Sequence, residues 1–199
     1  MSFYRKNWYY VGGILFVVLA FFVGFWGNQI DPLRKILLLS FMSLLMHQFE
    51  EYALPGGFPA VFNIGWNHET EAPDRYPLNR LSCVCVNTFL AYPFYILPIV
   101  FPRVIWLGLA QIMFGMVGQL FIHGIVINRK LHSYYNPGLA VTVCLLVPIG
   151  VLLHLVCVFP WSPPAVALDR RDCGFRSECI SNRRIACQAL ARQKLALSV

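Results

Sequence analysis

Apolar residues in this chain fall in long unbroken runs, not in the alternation of a strand or the narrow stripe of a surface helix. The first run, from Trp8 to Trp26, has aromatic residues at both ends, as at the two interfaces of a bilayer. It lacks the short core and small-residue cleavage site of a signal peptide, so it reads as a retained helix. Four more runs follow, at 34–52, 81–101, 103–127 and 138–159. About 20 helical residues cross a hydrocarbon layer, and each run approaches or exceeds that length. Pro32, Pro55-Gly56-Gly57, Pro102, Asn128-Arg129-Lys130 and Pro137-Gly138 punctuate them. Pro93 and Pro98 interrupt the third run, which packed membrane helices tolerate. No segment alternates with period two, which argues against a barrel. The pattern predicts an all-α, multi-pass integral membrane protein: a bundle of about five transmembrane helices (8–27, 34–52, 81–101, 103–127, 138–159) within residues 1–161.

Composition agrees with a bilayer as the solvent: of 199 residues, 58% are hydrophobic and only 13% charged. From Ser162 onward the character changes. Residues 162–199 carry seven of the sixteen Lys and Arg and much of the +7 net charge, with weak helical periodicity. This segment is expected to be a basic tail, disordered or lying on anionic lipid. Nothing else in the chain suits a nucleic-acid partner. Five spans put the termini on opposite sides of the membrane, and the Lys/Arg count of the two sides leaves orientation open. Cys83, Cys85, Cys144 and Cys157 sit in spans as small core residues, while Cys173, Cys179 and Cys187 lack the paired short spacing of a zinc module. There is no internal repeat.

The second run ends on His47-Gln-Phe-Glu50-Glu51, and no other Asp or Glu lies in any apolar run. An ionisable group at membrane depth costs roughly 2.5–3.5 kcal/mol on insertion scales and usually marks a pathway or a site. With five spans, the polar residues of distant segments converge on one face. His47, Glu50 and Glu51 end the second helix there, Asn87 lies about two turns into the third, and His123 lies about one turn from the exit of the fourth. Tyr135-Asn136-Pro137-Gly138 then opens the fifth, and the loop from Asn63 to Glu71 covers the same side. Residues one turn apart share a helical face, so His47 projects with Glu50 and Glu51, and Ser43 and Ser40 extend the stripe inward. Each feature also has a plainer reading. A His-Glu pair can be a structural hydrogen bond, His123 a satisfied core histidine, Asn87 a bond between helices, and Tyr-Asn-Pro-Gly a turn. Two adjacent carboxylates fit the plain reading worst, because like charges need a cation or a proton between them.

His47-x-x-Glu50-Glu51, a later membrane histidine at His123, and Tyr135-x-Pro137-Gly138 together resemble the HXXEE family of membrane proteins, over roughly residues 35–150. That resemblance implies a polar site within a membrane bundle and implies no particular reaction. The tail after Pro160 lies outside it.

The residues themselves suggest a chemistry. Two histidines and a carboxylate on facing helices make a catalytic zinc set, with water in the fourth position. His47, Glu51 and His123 are the expected ligands and Glu50 the general base. Asn87 is expected to orient substrate or stabilise an oxyanion, and Tyr135 to donate a hydrogen bond at the mouth. Spacing leaves open which glutamate ligates and which accepts the proton. The expected function is a membrane metal-dependent hydrolase acting on a lipid or other hydrophobic substrate. The expected divalent metal is zinc, with iron and a mononuclear oxygenase as the alternative. Outside this class stand a small-molecule or proton-linked transporter titrating at Glu50 and Glu51, and an accessory subunit of a larger membrane complex, with which a homo-oligomer is also compatible. Transporters usually carry internal symmetry and a midplane site, and this chain has neither.

Overall fold

Helix α2 (Pro32–Tyr52) is the element around which the others pack. The computed structural model describes residues 2–158, and among them there is no strand. Asp31 starts α2 by accepting a hydrogen bond from the Arg34 N–H at 3.0 Å, with Pro32 in the first turn, where its missing N–H is harmless. At 21 residues α2 is about 31 Å long, close to the thickness of a hydrocarbon core. Its side chains are buried all the way round, from Ile36 and Leu37 through Phe41, Leu44 and Leu45 to His47, Gln48, Glu50 and Glu51.

Four outer helices enclose it: α1 (Ser2–Trp26), α4 (Arg80–Val100), α5 (Ile105–Leu131) and α6 (Leu139–Cys157). Each is long and apolar enough to cross a membrane. Large apolar side chains such as Phe21, Phe89, Trp106 and Phe114 point outward, as lipid-facing residues do. The protein is therefore an all-α membrane bundle. Its fifth long helix, α2, is less apolar because protein rather than lipid surrounds it, which is where polar residues at membrane depth belong. The tail predicted at 162–199 lies outside the described residues.

A short helix α3 (Phe58–Gly65) follows the Pro55-Gly56-Gly57 turn and packs on α2 and α5. The sequence pattern predicts only a turn and loop there. Behind α3 the chain to Asn79 is organised by one fully buried side chain, Asn63. Its amide donates to the carbonyls of Pro73 (2.8 Å) and Leu78 (2.9 Å) and accepts from the Leu78 N–H (2.9 Å). Asn79 then caps α4, taking the N–H groups of Leu81 and Ser82 while Ser82 accepts from the Asn79 N–H.

Both α4 and α6 widen into π-helical turns shortly before an internal proline, at Cys85–Leu90 ahead of Pro93 and at Thr142–Leu146 ahead of Pro148. Proline has no N–H to give and its ring clashes with the carbonyl four residues earlier, so a wider turn relieves both problems. Helix α5 carries π-helical turns at Ile112–Gly118 and Leu120–Ile127, and His123 lies in the second.

Candidate metal centre

His47 and Glu51 stand one turn apart on α2, and α5 brings His123 against them. All three are sealed inside the protein, with 1%, 4% and 0% of their surface exposed. Glu51 Oε1 lies 3.4 Å from Nε2 of His47 and 3.4 Å from Nε2 of His123. No two of the three ligand atoms are more than 4.8 Å apart. The imidazole rings meet edge to face with centroids 4.9 Å apart, and Phe58 at the start of α3 stacks on the far side of His123 at 4.6 Å.

The outer nitrogens fix which tautomer each ring adopts when neutral. His47 Nδ1 faces the Gly138 carbonyl at 3.0 Å. A carbonyl only accepts, so Nδ1 carries the hydrogen. His123 Nδ1 lies 2.6 Å from Asn136 Oδ1. The amide cannot be turned round, because Asn136 Nδ2 is committed to the His123 carbonyl at 2.8 Å and Asn128 Oδ1 at 2.7 Å. His123 Nδ1 is therefore also a donor. In their neutral forms, both histidines present the Nε2 lone pair to the carboxylate, and both Nε2 atoms are buried without a hydrogen-bond partner.

Three lone-pair donors facing one another repel unless a cation sits among them. A proton on one imidazole satisfies that ring and leaves the other opposed to the carboxylate. Two protons place two imidazolium rings side by side. A divalent ion satisfies all three atoms at once. Distance favours the ion: a charge-assisted N–H···O bond is about 2.7–2.9 Å. A tetrahedral ion with bonds near 2.05 Å sets its ligands about 3.3 Å apart, close to the 3.4 Å seen here twice. The donor set and the fixed tautomers fit such an ion.

Gly138 is built into this arrangement. It has φ +100°, a left-handed conformation that an L side chain rarely adopts. A Cβ there would lie 2.5 Å from Cε1 of His123 and 2.8 Å from Cε1 of His47. The glycine backbone thus lies tightly against both rings. Its carbonyl also accepts from Thr142 Oγ1 at 2.7 Å, which steadies the oxygen that orients His47.

The other expected residues occupy different posts. Glu50 points to the start of α6, where its oxygens accept from the N–H groups of Ala140 (3.1 Å) and Val141 (2.8 Å) and from the Tyr135 hydroxyl (2.8 Å). It is a carboxylate at a helix N-terminus, where the dipole favours negative charge. Tyr135 is 46% exposed, at the surface above Glu50. Partial burial and its bond to the carboxylate push the phenol up to about 12. Asn87 braces α4 to α2: it accepts from Gln48 Nε2 at 3.2 Å and donates to Tyr52 Oη and the Cys83 carbonyl, both at 3.0 Å. Its amide has no hydrogen left for an oxyanion. Ser43 donates back to the Leu39 carbonyl along its own helix at 2.8 Å.

Asn136, Gly138, Thr142 and Phe58, which complete the centre, do not stand out in the sequence individually. The signal available for the first two was the Tyr-Asn-Pro-Gly turn directly ahead of an apolar run.

A family model described as a protein of unknown function with HXXEE motif matches residues 38–153. No curated protein and no solved structure matches the chain. The matched span contains all three ligand candidates, the turn at Asn136–Gly138 and Thr142, and it ends within α6.

Proposed function

The chain belongs to the family of proteins of unknown function with the HXXEE motif, and from that premise we propose that it is a multi-pass membrane metalloenzyme using His47, Glu51 and His123 as metal ligands. The observation that carries this reading is the pair of buried, unpartnered Nε2 atoms aimed at one carboxylate, each ring locked by an acceptor on its other nitrogen. Zinc suits two histidines and a carboxylate with a fourth position for water. The same donors suit ferrous iron, which would make the reaction an oxidation.

We propose hydrolysis of an ester or amide bond in a lipid or similarly hydrophobic substrate. A divalent ion held by His47, Glu51 and His123 would supply Lewis acidity and activate water for attack near neutral pH. The protein's own residues bind and orient. Asn136 and the Gly138 carbonyl hold the rings, and Thr142 steadies that carbonyl. Glu50 and Tyr135 are positioning residues that pin the turn 135–138 to α2. Glu50 is assigned positioning rather than the base role, because its three hydrogen bonds direct it to Tyr135 and the start of α6. Asn87 likewise braces two helices and does not serve an oxyanion. Phe58 and α3 exclude water from the centre. A membrane-borne substrate is supported by the layer of polar residues at one end of helices whose outer faces are apolar.

The test is turnover of ester- and amide-linked lipids in mixed micelles by the purified full-length protein. The reading expects activity that a chelator abolishes and zinc restores, and that His123→Ala lacks. Metal-loaded protein inert towards both bond types would overturn hydrolysis, while the ligand assignment would still be judged by metal content.

A further inference from the structure

Beside the metal centre lies a second feature of different chemistry. The first turns of α1, the start of α4 and the segment Gly57–Ala60 enclose a cleft of about 390 Å³, within the size range of small-ligand sites. Arg5 and Lys6 from α1 and Arg80 from α4 line it. The same three cations also line an adjoining hollow of about 540 Å³, together with Arg75 and Asn79. Among the described residues none of the three makes an ion pair. The acidic side chain on the rim, Asp74, is held by its neighbour Arg75 at 3.0 Å.

Beneath the cations are aromatic rings: Trp8 is buried, with Tyr52 edge-on at 4.8 Å and Tyr9 at 5.6 Å. Charges above an apolar floor are less screened than charges in open water, so an anion between them is held more strongly. Three cations from two elements, two of them guanidinium forks, match a ligand with several charged oxygens, which is the chemistry of a phosphate. The cleft opens where α1 and α4 begin their membrane crossing, at the depth where a lipid headgroup meets a bundle. One wall, Gly57, Pro59 and Ala60, flanks Phe58, whose ring covers His123. The cleft and the metal centre thus share α3 between them. Arg5 and Lys6 lie outside the residues matched by the family model.

We propose that this cleft seats the phosphate-bearing headgroup of an anionic membrane lipid, through Arg5, Lys6 and Arg80. The site is separate from the metal ligands and stands whether or not the centre is hydrolytic. The test is binding of the full-length protein in detergent to phosphatidic acid, with phosphatidylcholine and inorganic phosphate as comparisons. Wild type is expected to prefer phosphatidic acid over phosphatidylcholine. R5Q with R80Q should cut that preference at least about tenfold, since each cation near the surface contributes several-fold. R129Q with K130Q removes the same charge from the same end of the bundle, outside the cleft, and should leave the preference intact. R5K with R80K should retain most of it, which separates lost charge from lost fold. His47→Ala with His123→Ala should leave it unchanged. Equal losses in the two glutamine pairs, or no preference in wild type, would overturn the proposal. Inorganic phosphate binding as tightly as the lipid would overturn the lipid assignment in favour of a soluble phosphate.

Discussion

The tautomer of two imidazole rings decides what this site can hold. His47 and His123 each donate their Nδ1 hydrogen to a fixed acceptor, which leaves the Nε2 lone pair of the neutral ring available to a metal. Asn136 is the clearest test of that logic, because it holds a ring without touching the metal position. Asn136→Leu keeps the volume and removes the acceptor, and metal affinity is expected to fall about 10- to 100-fold, the usual cost of losing the partner that orients a ligand. A competition titration against a chelating dye reads this directly, and unchanged affinity would mean that the tautomer is set by something else. Gly138→Ala is the harsher change. It asks for a left-handed alanine and drives a methyl group against both rings, so stability should drop by at least about 2 kcal/mol with loss of bound metal. Thermal melting in detergent with metal analysis would check both. The cluster of His47, Glu51 and His123 was legible in the sequence as a candidate, because ionisable residues one turn apart inside an apolar run cost too much to be there for packing alone. Asn136 and Gly138 were not, since Asn-Pro-Gly reads first as turn chemistry and no spacing rule says which side chain a turn carbonyl will meet.

At the scale of elements, the five long helices follow from apolar runs and their proline and glycine boundaries. Four of the five starts came within two residues, as with α2, expected from 34 and beginning at Pro32, while α1 begins at Ser2, six residues ahead of the expected 8. Helix α3 was hidden by its length, since eight residues flanked by Pro, Gly and Trp carry no span signal. Its task depends on a partner, because Phe58 becomes a cover only once α5 has delivered His123. Phe58→Ala should therefore speed metal release to a chelator several-fold without removing any ligand. A release rate equal to wild type would show that α3 is not the barrier. The link between α2 and the start of α6 runs through Glu50 and Tyr135. The Tyr135 pKa is raised on folding from about 10 to about 12. Its contribution to stability is thus complete below about pH 10 and is lost as pH rises from there through about 12. Tyr135→Phe should flatten the stability curve in that window. Superimposable curves for the two proteins would mean that the bond to Glu50 is not made.

For the whole molecule, the placement of a polar layer at one end of the bundle could be reasoned from span order alone. Helices that alternate in direction must return their ends to the same face, and the contacts among α2, α3, α5 and α6 meet at that face. What span order could not supply is the division between a central helix and its four enclosing neighbours, because length and hydropathy describe a helix without saying what surrounds it. In a background with cysteines replaced by serine, cysteines placed at Glu71 and Ser133 should react with an impermeant maleimide from the same side of the membrane, and one at Gln29 from the other. Any other partition would contradict the bundle. The most direct test of the central claim is metal content of the purified full-length protein, measured for wild type, His47→Ala and His123→Ala. About one zinc or iron per folded wild-type chain, lost in both variants, is the predicted result. Folded wild-type protein without metal, or variants that keep the wild-type content, would contradict it.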